Sequence, residues 1–155
     1  MMDKQINEHW MKKAILEAER AFNAKETPVG AIVVKDGTII GRGYNQVETL
    51  KDATAHAEMV AITAAANTLG DWRLLKCSLY VTKEPCIMCC GAIINSRIDF
   101  IGFGAYDEAR GGCSSLYQLC NDPNNNHQSV VRGGILEQEC SFLLKEFYSR
   151  VRKKG

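Results

Sequence analysis

Cys77-Ser78-Leu79-Tyr80-Val81-Thr82-Lys83-Glu84-Pro85-Cys86-Ile87-Met88-Cys89 is the run whose reading decides the fold. Residues 77–82 form a short apolar strand. Pro85 suits the first position of a helix, where its missing N–H costs nothing. The chain therefore passes from strand to helix within a few residues. Cys86 and Cys89 then stand at i and i+3, neighbours on one helix face. The positive end of the helix dipole favours thiolates there. Upstream, Thr54-Ala55-His56-Ala57-Glu58 opens a second expected helix, with Thr54 as a plausible N-cap. On an ideal helix His56 and Glu58 point roughly 200° apart. Spacing alone does not aim both at one point.

Working outward, the elements alternate. Residues 6–24 read as an amphipathic helix with Ile6, Trp10, Ala14, Ala18 and Ala21-Phe22 inward. Val29 to Val34 is a strand. Asp36-Gly37 is a two-residue hairpin signal, and Thr38 to Asn45 returns as the second strand. The G-x-G at 41–43 is no dinucleotide loop, because no helix follows it. Residues 54–69 make an Ala-rich helix, residues 86–95 the helix after Pro85, and Ile98 to Gly104 a further strand. Strand, helix, strand, helix, strand from 38 to 104 predicts a sheet with parallel members and helices packed on it. Such sheets bind ligands at the carboxyl ends of their strands. Beyond 105 the pattern loosens. A short helix is expected over 114–120 with Leu116 and Leu119 inward, then an Asn-rich loop over 121–127. Ser129 to Val131 reads as a weak edge strand. Residues 135–152 read as a closing helix with a basic tail of Arg150, Arg152, Lys153 and Lys154.

A length of 155 residues is one domain by the length prior. The formal net charge of +1 makes the chain no polycation, so a nucleic-acid partner needs a local patch. Met1-Met2-Asp3-Lys4-Gln5 has no apolar core of a secretory signal. No apolar run is long enough to span a bilayer. Seven cysteines, an odd number, argue against a disulfide framework and for a reducing, cytoplasmic setting. Outside Cys86 and Cys89, the cysteines read as small buried hydrophobes.

His56, Cys86 and Cys89 together read as a zinc site. Catalytic zinc takes three protein ligands and keeps a fourth position for water, and Cys2His is a known set. Glu58 is the candidate proton carrier. Each half is weak alone: a C-x-x-C also serves redox pairs and structural half-sites. The two halves in order, H-x-E followed by P-C-x-x-C, are the signature of zinc nucleobase deaminases.

With these residues laid out, the chain resembles the bacterial tRNA-specific adenosine deaminases, which make inosine at the wobble position of an anticodon. The likeness runs from the first helix to the last. It rests on Pro28-Val29-Gly30-Ala31, Gly43-Tyr44-Asn45, Thr54 to Glu58, Leu79 to Thr82 leading into Glu84-Pro85-Cys86, Ser96-Arg97-Ile98, Phe103-Gly104-Ala105, Asn126-His127, and Gly134-Ile135-Leu136 with Phe147-Tyr148-Ser149-Arg150. The resemblance implies an α/β fold, the cytidine-deaminase-like three-layer α/β/α sandwich with a mixed, about five-stranded sheet. It implies one zinc per subunit, a homodimer, and a tRNA anticodon stem-loop as substrate. It places a base-binding asparagine on Asn45 and an aspartate near the RNA backbone on Asp107. It places an anticodon-loop histidine on His127 and an aromatic pair near the splayed nucleotides on Phe147 and Tyr148. The chain departs from the usual pattern at Asp52-Ala53, at Tyr106, and at Lys83, where an apolar or small residue is usual. A deaminase of a free base, nucleoside or nucleotide, of guanine or cytosine type, would use the same zinc site with a closed pocket. A non-catalytic zinc or RNA-binding module would have no use for Glu58.

Overall fold

The strand that ends at Lys83 lies at the centre of the sheet. The computed structural model describes residues 3–154, with the side chains of Lys153 and Lys154 left out. The Met1-Met2 start and those two lysines of the tail lie outside what is described.

The elements run α1 (Lys4–Asn23), β1 (Gly30–Lys35), β2 (Thr38–Tyr44), α2 (Val47–Leu50), α3 (Ala57–Leu69), β3 (Ser78–Lys83), α4 (Ile87–Ser96), β4 (Phe100–Ala105), β5 (Val130–Arg132) and α5 (Glu137–Lys154). The sheet order is β2-β1-β3-β4-β5. The hairpin β1–β2 is antiparallel, and β1 is antiparallel to β3. β3, β4 and β5 are parallel, with Lys83 opposite Ala105. The sheet is therefore mixed and five-stranded.

Alternate residues of each strand feed different layers, as period two requires. Ala31, Val33, Leu79, Val81, Ile101 and Phe103 pack with α3 and α4 through Ala57, Ala61, Ala65 and Ile93. Ile32, Val34, Tyr80 and Phe100 pack with α1 and α5 through Met11, Ala14 and Cys140. That is the three-layer α/β/α sandwich. The G-x-G at 41–43 is explained by packing. A Cβ at Gly41 or Gly43 would meet the backbone of α3 at Ala61 and Ala57, so the glycines let that helix lie directly on β2. With the helix held there, its start comes to the end of the hairpin.

Several local expectations are corrected. The inward stripe of α1 is Asn7, Met11, Ala14, Ala18 and Ala21, and Ile6 is exposed. The helix is rotated because the Tyr80 hydroxyl donates to the Asn7 side chain at 2.8 Å. Thr54 caps nothing: its N–H and hydroxyl both donate to Asp52, at 2.8 and 2.7 Å, and α3 is preceded by His56. Pro85 lies one residue ahead of the cap of α4, which is Cys86. Residues 114–120 form turns with no helix, and Leu116 is exposed. Residues 47–50 add a one-turn helix that the spacing did not predict. Among the described residues no helix is long and apolar enough to cross a membrane.

Candidate active site

Two helices begin with the residues singled out as metal ligands. His56 is the N-cap of α3 and Cys86 the N-cap of α4, both with extended backbone, and neither cap side chain bonds its own helix. Both side chains are thus free to turn toward each other. His56 lies outside the helical turn, so the 200° separation from Glu58 no longer applies. Cys89 follows in the first turn of α4. His56 Nδ1 stands 3.6 Å from Cys86 Sγ and 3.6 Å from Cys89 Sγ. Tetrahedral zinc with Zn–N near 2.0–2.1 Å and Zn–S near 2.3 Å requires N···S edges of about 3.6 Å. The spacing fits zinc, as does the donor set.

The electrostatics suit that reading. The contact with Cys89, with further help from His56, pulls the Cys86 thiol down to about 3 and pushes Cys89 up. Glu58 is buried, and burial pushes its carboxyl above the usual range. A carboxyl that holds its proton readily is what a proton carrier needs.

These groups open into a cavity of about 790 Å³ at the carboxyl ends of β3 and β4, lined by Asn45, His56, Glu58, Cys86, Asp107, Phe147 and Tyr148 among others. Asn45 Oδ1 is buried in that wall with no hydrogen-bond partner among the described residues. Such an orphan acceptor is costly unless a ligand satisfies it. Asp107 donates its N–H to Glu84 and accepts from Ala109 and Arg110 N–H, each at 3.1 Å, while its second oxygen pairs with Lys83 Nζ at 3.2 Å. Burial would raise the Asp107 carboxyl, but the Lys83 ammonium and the Arg110 and Ala109 N–H groups together hold it below the usual range. Phe147 meets Phe22 and Tyr148 edge-on. His127 is not among the lining residues. It sits at the opposite end of β4, where its Nε2–H donates to the Ile98 carbonyl at 2.7 Å.

Two carboxylates that the sequence reading gave no role shape the cavity wall. Glu84 is buried and accepts from the N–H groups of Asp107, Cys113, Ser114 and Ser115 and from the Ser115 hydroxyl. Burial would raise its carboxyl, yet the Ser115 hydroxyl and these N–H groups prevail and hold it low. The N–H groups of 113–115 converge on Glu84, and the segment that carries them runs as turns. Glu26 does the same for α2, accepting from Glu48 N, Thr49 N and the Thr49 hydroxyl. The one available signal for Glu84 was a carboxylate wedged between a buried strand and Pro85.

A second sulfur group lies behind α4. Cys90, Cys113 and Cys120 are all buried, and Cys113 Sγ stands 3.7 Å from Cys90 Sγ and 3.8 Å from Cys120 Sγ.

With this geometry established, residues 4–105 match the family described as the cytidine and deoxycytidylate deaminase zinc-binding region. The chain belongs to that zinc-binding deaminase family. Within it, the chain is 46% identical over 149 residues to the tRNA-specific adenosine deaminase of Bacillus subtilis, covering 96% of this chain and 92% of that one. A structure solved in a study of A-to-I editing by tRNA:A34 deaminases at the wobble position superposes with a TM-score of 0.84 at 40% identity, covering 88% of this chain and 99% of that one. The guanine deaminase of Bacillus subtilis superposes less well, with a TM-score of 0.62 at 44% identity over 64% of each chain.

Proposed function

We propose that this chain, one deaminase domain over residues 1–155, converts adenosine to inosine at the wobble position of a tRNA anticodon loop, releasing ammonia. The observation that carries the reading is the unpartnered Asn45 Oδ1 beside the His56–Cys86–Cys89 group, in a cavity long enough to reach the aromatic side chains of α5. A base has a polar edge for Asn45, and flanking nucleotides have faces for Phe147 and Tyr148 to stack on.

His56, Cys86 and Cys89 would hold zinc, which when bound supplies a Lewis acid that lowers the pKa of water. Two thiolates offset most of that charge, so a base beside the site is needed. Glu58 takes a proton from the attacking water and delivers it to N1 of adenine as oxygen adds at C6. It then takes the second proton, from the hydroxyl now on C6, and passes it to the exocyclic amine; the C6 carbonyl forms as the C–N bond breaks and ammonia leaves. Asn45 orients the ring. Burial of Glu58 keeps bulk water from competing for the proton. The base must leave its stack, which is cheapest in a single-stranded loop. His127 belongs to this reading only as a surface contact of the RNA away from the cavity.

Pairing of two copies completes the reading. Ile87, Leu116 and Tyr117 stand exposed beside one another on the cavity wall and would be covered by a second copy. A reducing, cytoplasmic setting suits seven free cysteines. Incubation with an anticodon stem-loop carrying wobble adenosine, in parallel with free guanine, cytosine and cytidine, tests the substrate. Inosine and ammonia are expected from the stem-loop alone. In Glu58→Ala, turnover should fall by about 10³–10⁴-fold with zinc retained; an active Glu58→Ala enzyme would refute the role.

A further inference from the structure

Among the described residues, three lysine or arginine side chains line the cavity. Lys25 and Arg110 are exposed at its rim, whereas the Lys83 side chain is only 27% exposed and stands inward at the end of β3. Two of the cavity carboxylates, Glu26 and Glu84, are fully occupied by N–H and hydroxyl donors. Among the described residues Lys83 has one ion-pair partner, Asp107, at 3.2 Å, and that carboxylate is shared with two backbone N–H groups. An ammonium carries three donors. One is used on Asp107, and no other acceptor for Lys83 is found among the described residues. A half-buried cation with unspent donors, on the wall that holds Asn45 and Glu58, has little to offer a neutral base. It matches a phosphodiester, which lysine binds as a point charge.

We propose that Lys83 is a substrate-binding residue that receives a backbone phosphate next to the base being deaminated, with Asp107 holding the ammonium in place. The inference rests on the nucleic-acid reading above and identifies a determinant that favours a nucleic acid over a free base.

The test uses steady-state kinetics on the anticodon stem-loop with the full-length protein. Lys83→Met keeps the aliphatic stem and removes the charge. Its KM should rise roughly tenfold with kcat within about twofold. The slope of log(kcat/KM) against log salt should shrink by about 0.7, one phosphate contact on a single strand. Lys83→Arg should restore that slope. A neutral methylphosphonate on one side of the target adenosine should weaken the wild type by a similar factor and leave Lys83→Met unaffected. Unchanged KM and salt slope in Lys83→Met, or an equal methylphosphonate penalty in both proteins, would overturn the proposal. Should Lys83→Met not fold, the wild type decides alone: a methylphosphonate scan that costs nothing at any position overturns it. A wild type that edits the stem-loop while Lys83 variants match it refutes this inference only. A wild type inert on the stem-loop but active on free bases refutes the substrate reading, and this inference with it.

Discussion

The two sulfur groups on either side of α4 are equally tight and chemically opposite. His56, Cys86 and Cys89 are separated by 3.6 Å contacts, and Cys90, Cys113 and Cys120 by 3.7 and 3.8 Å. The tetrahedral S···S edge around zinc is about 3.8 Å, and two packed thiols touch at the same distance. Proximity therefore does not distinguish a metal centre from a packed core. Surroundings do. The first group has an imidazole, the N–H ends of two helices, a cavity and a carboxylate. The second lies in the core of β3 and α4, and its sulfurs hydrogen-bond to one another and to the Pro85 carbonyl. Three thiolates on a divalent ion would leave a net negative charge there, and among the described residues no N–H bonds to those sulfurs. Burying an uncompensated charge costs several kcal/mol. Contact with Cys113 and Cys90 pulls the Cys120 thiol down to about 4, so a low thiol does not mark a metal centre either, and the second group is expected to hold no metal.

Neighbouring residues give the sharpest way to break that contrast. Cys89→Ala should lose zinc by metal analysis and all measurable deamination, since it removes one of three ligands. Cys90→Ala, one position on, should keep one zinc per chain. If both variants bind zinc alike, the assignment of the first group fails. Asn45→Ala comes next in size. It removes the one orphan acceptor of the cavity wall without touching the metal group, so kcat/KM should fall by roughly 10–100-fold while zinc content stays at the wild-type level. Loss of zinc in that variant would mean that Asn45 shapes the metal site and does not read the base.

Glu84 joins the two groups. It lies two residues before Cys86 and accepts from Cys113 N at 3.2 Å, and Gly111 leaves room for it by having no Cβ. Its carboxyl is lower in the folded chain than the ordinary value, so it stabilises the fold fully above the unfolded pKa near 4.3. That contribution is lost as pH falls through the folded value. Urea melts between pH 7 and 3 should show the wild type losing stability through this range. Glu84→Gln should be less stable at neutral pH and have a flatter acid limb. An unchanged acid limb would show that other carboxylates set it.

How much was legible follows the same division between pattern and surroundings. The hairpin at Asp36-Gly37 and the alternation of strands and helices from 38 to 104 are local patterns with one physical outcome each, whereas the grouping of His56 with Cys86 and Cys89 was read from a two-part signature 30 and 33 positions apart. The misses are places where a distant partner decided. Asn7 faces inward because Tyr80 offers a hydroxyl from the sheet centre. The N–H groups of 113–115 are gathered by Glu84, a partner about 30 positions upstream that no local pattern announces. Thr54 serves Asp52 and not the helix. The roles of Glu84 and Lys83 needed the parallel pairing of Lys83 with Ala105, which brings Asp107 alongside. The Cys90–Cys113–Cys120 contact joins residues up to 30 positions apart, with no spacing signal to announce it.

The smallest expected effect is the most exacting for the contrast itself. Cys113→Ala removes the middle sulfur, which touches both of its neighbours. Loss of a buried sulfur should lower stability by roughly 1–2 kcal/mol through the small cavity it leaves. Activity on the stem-loop should stay within about twofold, because Cys113 holds the wall through its backbone N–H to Glu84, which alanine keeps. Zinc should remain at one per chain in wild type and variant alike. A second equivalent in the wild type that disappears in Cys113→Ala would show that burial does not keep metal from these three sulfurs. The distinction drawn between the two groups would then have to rest on the carboxylate at Glu58 and the opening to the cavity, and no longer on charge.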